Sequence, residues 1–253
     1  MDEAEWFAER KQPLALLAHV GRKVSARKRR LFACACCRRI WHLIDHWRCR
    51  GVVSVVERFA DGLATSEELV AAQAEARAGA QELLGVGGRD DGAWACHALC
   101  AAKAGMTSTG NGAVNAAGIA VRAVQWGAFS EALRQGQARF DIIANQDRFG
   151  DEERAEQCRL MRAILGNPFH PLPPRKGKRA WEQQKRSWLE RNDGLARTLA
   201  EGIYDEQRFE DLPILADALE DAGCTETTIL EHFRGPGPHV RGCWALDLVL
   251  AKE

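Results

Sequence analysis

The stretch Ser25–Arg50, SARKRRLFACACCRRIWHLIDHWRCR, decides the fold, because it carries four of the chain's nine cysteines, two of its eight tryptophans and its densest positive charge. With Ser25 as N-cap, the apolar residues that follow recur at helical spacing and predict one long helix running to Gly51. At about 100° per residue, Ala33, Cys36, Cys37, Ile40, Trp41, Leu43, Ile44 and Trp47 share one broad face. Cys36 and Cys37 therefore read as small core residues. His42, His46 and Cys49 fall on the opposite face, at i, i+4 and i+7.

Upstream, Asp2 caps a predicted helix to Lys11, with Glu3 and Glu5 near the positive end of its dipole. Pro13 opens a short second helix that Gly21 stops. Downstream, Val52, Val55, Val56 and Phe59 mark a helix over 52–61. Thr65-Ser-Glu-Glu68 has the form of a capping box and predicts a helix from there to Leu84. Two loops, GVGGRDDG and TSTGNG, enclose a helical AWACHALCAAKAG segment. Residues 113–149 are again helical with a break near Gly136, and Asp151 caps a helix that ends at Gly166. The four prolines of NPFHPLPPRKGK then mark a boundary. Beyond it, helices are predicted over 179–192, 194–207, 211–222, 225–234 and from Pro238 to the end. The expected fold is all-α: an array of antiparallel helix pairs, solenoid-like in stacking. Its expected division is an N-terminal helical domain (1–166), a Pro-rich basic linker (167–180) and a C-terminal helical unit (181–253).

The 253-residue chain, 46% apolar and 28% charged, is long enough to bury a core without metal or disulfide support. Its odd number of irregularly spaced cysteines reads as reduced thiols rather than a secreted framework. The acidic, amphipathic start lacks the pattern of a signal peptide, and no apolar run approaches the ~20 residues of a membrane span. A cytoplasmic location is expected.

Zero formal net charge hides a polarised chain. Arg22–Arg50 holds ten basic residues and one acid; Glu201–Glu231 holds ten acids and one base. Such poles favour association with a protein partner, or self-association through opposite charge. The basic residues Arg27, Lys28, Arg29, Arg30, Arg38 and Arg39 also suggest phosphate contacts. So do Arg179 and Lys185, which are interleaved with Trp181 and Trp188 as candidate base-stacking platforms.

Two further constellations stand out. His42 and His46 on the long helix, with Cys96 and Cys100 at i, i+4 on another, supply the donor types of a tetrahedral zinc site if the two helices lie side by side. In the turn RGPGPHVRGCW, Arg234, His239 and Arg241 are candidate anion ligands. There His239 and Arg241 are read into the first turn of the last helix, and Cys243 follows one turn after His239. The plainer reading is that Gly-Pro-Gly-Pro reverses the chain.

The C-terminal run DLPILADALEDAGCTETTILEHFRGPGPHVRGCWALDLVLAKE (211–253), together with RLFACACCRRIWHL (30–43), VERFADGLAT (56–65) and GNPFHP (166–171), closely resembles an expanded family of planctomycete bacterial proteins. That resemblance brings no activity, cofactor or catalytic residue with it. With no nucleophile elbow, P-loop, zincin or dinucleotide fingerprint in the sequence, the expected function is a non-enzymatic interaction or regulatory module. Nucleic-acid binding and a zinc site are the alternatives.

Overall fold

The computed structural model describes residues 1–44, 46–85, 117–118, 120–125, 135–136, 139–174 and 177–252. The fold is all-α, and among the described residues the regular structure is α-helix with short 3₁₀ turns. None of these helices is long and apolar enough to cross a membrane. The chain forms two compact units, Met1–Met161 and Arg162–Glu253, so the division falls within a helix and the Pro-rich stretch belongs to the second unit. The expected helix carrying Cys96 and Cys100 lies outside the described residues.

The first unit opens with α1 (Glu3–Ala8), where Asp2 and Glu5 form a reciprocal capping box. This helix ends before Lys11, because the Glu9 carboxylate turns back to accept from the N–H groups of Lys11 and Gln12. Next comes α2 (Pro13–Val20), with Pro13 at its first turn. The long helix expected over Ser25–Gly51 is in fact two. Ser25 caps α3 (Ala26–Arg39) as expected, the chain then breaks through a 3₁₀ turn at Trp41–Leu43, and α4 runs Trp47–Ala60.

No glycine or proline announces this break. It is held by Arg50, whose guanidinium donates to the carbonyls of Ile44 and Trp41, groups a continuous helix would have paired internally. The kink buries Ile40 and Ile44 and leaves Trp47 69% exposed, so Trp47 does not share their face as the wheel implies. Cys49, expected on the polar face, is buried and donates to the Ala76 carbonyl.

α3 and α4 form an antiparallel hairpin tied by buried charge. Arg27 meets Asp61 at 2.9 Å, and Arg38 forks onto both carboxylate oxygens of Glu57. α5 (Ser66–Gly85) returns along α4, with Arg58 on Glu68 at one end and Arg48 on Glu75 and Glu82 at the other. Its start is the predicted capping box: Glu68 N–H donates to Thr65 Oγ1 at 3.2 Å and Thr65 N–H to Glu68 Oε2 at 2.7 Å. Replacing Thr65 by Ala is expected to cost about 1 kcal/mol of unfolding free energy, read by denaturant titration; an unchanged midpoint would show that the cap contributes nothing.

α6 (Arg139–Leu165) is continuous through Asp151, which was expected to cap a new helix. Its Glu153 is buried and receives Arg39 at 3.0 Å.

The second unit packs α7 (Lys178–Glu190), α8 (Leu195–Glu206), α9 (Leu212–Asp221), α10 (Thr227–Arg234) and α11 (Trp244–Leu250) around one apolar cluster. Trp181 and Trp188 meet edge to face at 6.3 Å inside that cluster, so they are core aromatics and not exposed stacking platforms. The last helix starts at Trp244, not Pro238. The stretch before it is a turn in which Gly237 adopts a positive φ of 84°.

Candidate metal centre

The turn between α10 and α11 gathers three donor groups. His232 comes from the last turn of α10, His239 from the non-helical stretch and Cys243 from the N-cap of α11. One ligand atom from each lies within 4.8 Å of the other two. His232 Nε2 is 3.0 Å from Cys243 Sγ, and the two imidazoles stand perpendicular with ring centroids 5.0 Å apart.

Local sequence explains the convergence. Gly-Pro-Gly-Pro ends α10 and reverses the chain, carrying His239 back beside the helix that supplied His232. Gly237 is required at this point, since a Cβ there would sit 2.8 Å from the His239 backbone nitrogen and 3.1 Å from its ring. The turn is fixed by its own hydrogen bonds, Gly235 N–H to Glu231 O and Cys243 N–H to Val240 O.

The protonation pattern suits a ligand set. His239 Nε2 lies 3.0 Å from the Gly235 carbonyl, which can only accept, so Nε2 carries the proton. In the neutral ring the lone pair is then on Nδ1, which is buried and has no hydrogen-bond partner. A backbone carbonyl orienting one ring nitrogen while the other is left to coordinate is the usual arrangement of a metal-bound histidine. Burial, with the neighbouring His239 second, pushes the His232 pKa down to about 4, so that ring is neutral at pH 7. Cys243 is fully buried, and the Trp244 indole lies 5.1 Å from the His232 ring. Zinc with nitrogen and sulfur ligands at about 2.0–2.3 Å sets donor separations of about 3.3–3.7 Å.

The sites expected from sequence are placed differently. His42 stands exposed in the 3₁₀ turn, on the wall of a cleft of about 730 Å³ shared with Leu43, Val124 and Phe149. His46 lies at the N-cap of α4, with Nε2 3.3 Å from Glu82 and its ring stacked beside Trp47. The break between α3 and α4 therefore removes the helical i, i+4 relation on which their pairing was based; Cys96 and Cys100 lie outside the described residues.

The basic cluster is largely committed within its own unit. Arg27 is paired with Asp61, Arg38 with Glu57, and Arg39 with Glu153 and Glu156. Arg29 donates to the Gly21 carbonyl, and Arg30 lies 5.0 Å over the Phe59 ring. Lys28 is half-buried and Arg179 exposed. Lys185 is buried, bonded to the Leu248 carbonyl and Glu182 and placed over Trp181. The members of the anion trio have other partners: Arg234 is held by Asp217 and Glu220, Arg241 donates to the Tyr204 carbonyl above its ring, and His239 lies beside His232 and Cys243.

His232 is the residue sequence reading missed. The signal was H-x₆-H-x₃-C around Gly-Pro-Gly-Pro, which becomes legible only once the second half is not forced into a helix.

No protein-family profile, curated protein or solved structure matches the chain.

Proposed function

We propose that the C-terminal unit is a zinc-binding module with His232, His239 and Cys243 as its protein ligands. The observation that carries this is the convergence of two imidazoles and a thiol within 4.8 Å, with His239 Nδ1 buried and unbonded. The donor set of borderline nitrogen and soft sulfur suits zinc among the divalent ions. Protein loaded with zinc and dialysed is expected to retain about one ion per chain by elemental analysis. Free zinc at about 100 times its Kd is expected to add about 2.7 kcal/mol of stability, removed by chelator. Retention well below one ion, with a melting curve indifferent to chelator, rules the reading out.

A second reading, protein association, is favoured by the asymmetry of charge commitment. The arginines of 22–50 are mostly satisfied internally, whereas Glu201, Asp205, Glu210, Asp221 and Glu231 remain on exposed positions of the second unit. The partner expected on this reading is basic. Retention of a lysine- and arginine-rich partner that is lost as salt rises supports it, and retention independent of salt removes its electrostatic basis.

A further inference from the structure

Resting on that zinc assignment, we infer that the ion in this site keeps a coordination position open to an exogenous small anion, so that the centre is a ligand-binding site and not a fold-closing one. Three observations lead there.

First, among the described residues the cluster has three protein donors: no fourth histidine, cysteine or carboxylate joins the group. Structural zinc sites are closed by four protein ligands, whereas three ligands leave the remaining tetrahedral position to water or substrate.

Second, the helices that carry the donors are anchored by an apolar core of their own. Phe233, beside His232, and Leu246 and Val249 of α11 are buried in the common apolar cluster. The donors are already gathered, and the turn that gathers them is held by hydrogen bonds of its own. A site whose metal closes a small domain lacks such a preformed frame, because there the binding energy is the folding energy.

Third, access is one-sided. Cys243 has no exposed surface, while His232 and His239 are each half-buried, so what solvent access the cluster has lies on the histidine side. The open position is consequently reached past the two imidazoles. On loading, the Cys243 thiol gives its proton to solvent and the thiolate binds the ion. At rest water completes the shell, and a small anionic donor replaces it.

The test uses cobalt(II) in place of zinc in the full chain, with azide as probe. Binding at this site gives a sulfur-to-cobalt charge-transfer band in the near ultraviolet and visible d–d bands, both lost in His239→Ala and kept in His42→Ala. The expected result is a saturable shift of the d–d bands on adding azide, with the charge-transfer band retained. Cobalt bands that ignore azide at every concentration overturn the open position while leaving the metal site standing. Absence of both bands in the native chain overturns the metal assignment and this inference with it. Loss of the charge-transfer band on adding azide means extraction of the metal, and also counts against an open position.

Discussion

His239→Ala is expected to abolish stoichiometric zinc retention while leaving the fold in place. On the proposed ligand set the substitution removes a coordinating nitrogen and not merely its orienting partner. Its cost in affinity should therefore exceed the about 10–100-fold that loss of an outer-shell contact produces. The side chain is half-buried and lies outside any helix, so little packing goes with it. Competition titration against a chromophoric chelator reads the affinity, and far-ultraviolet circular dichroism reads the fold. Cys243→Ala should lose zinc equally, but it also hollows a fully buried position, which makes His239 the cleaner probe. The matched control is His42→Ala plus His46→Ala, the pair first suggested by their spacing. If the control loses the ion and His239→Ala keeps it, the centre has been assigned to the wrong end of the chain.

Asp61→Ala is expected to destabilise the first unit by about 3–5 kcal/mol, a large share of the roughly 5–15 kcal/mol that holds a typical domain. The Asp61 carboxylate is 1% exposed and the Arg27 side chain 9%, so truncating one partner leaves a guanidinium with little access to water. An exposed pair would lose at most about 1 kcal/mol. Denaturant titration separates these outcomes. A double replacement, Arg27→Met with Asp61→Leu, should recover most of the loss, because exchanging a buried pair for apolar groups of similar size is often neutral or better. A single-variant loss below about 1 kcal/mol would falsify the view that this pair is effectively desolvated.

These two expectations sit on opposite sides of what could be read from the chain. The helices with local punctuation were legible: Asp2 and Glu5, Ser25, Pro13, Thr65 with Glu68, and the stop at Gly166 all behave as their chemistry requires. The break after Arg39 was not, because its cause is Arg50 reaching back over six and nine residues to orphaned carbonyls. Periodicity continued through that break and placed Trp47 in the core and Cys49 outside, the reverse of their positions. The charge of 22–50 was legible in amount but not in destination. The acids that take up Arg38 and Arg39 lie 19 and 114 residues away, and no spacing rule connects them.

The amino-acid sequence by itself determined that this chain is helical, where most of its helices begin, and that its thiols are mainly packing, since these follow from propensity, capping and burial of apolar faces. Only the tertiary structure decided which histidines come together with a cysteine. Coordination depends on where three donor atoms meet in space, and His232, His239 and Cys243 meet because a proline- and glycine-built turn reverses the chain between two short helices. His42 and His46, four residues apart and apparently on one face, lose that shared face because the chain breaks between Arg39 and Trp47, where Arg50 takes up the Trp41 and Ile44 carbonyls.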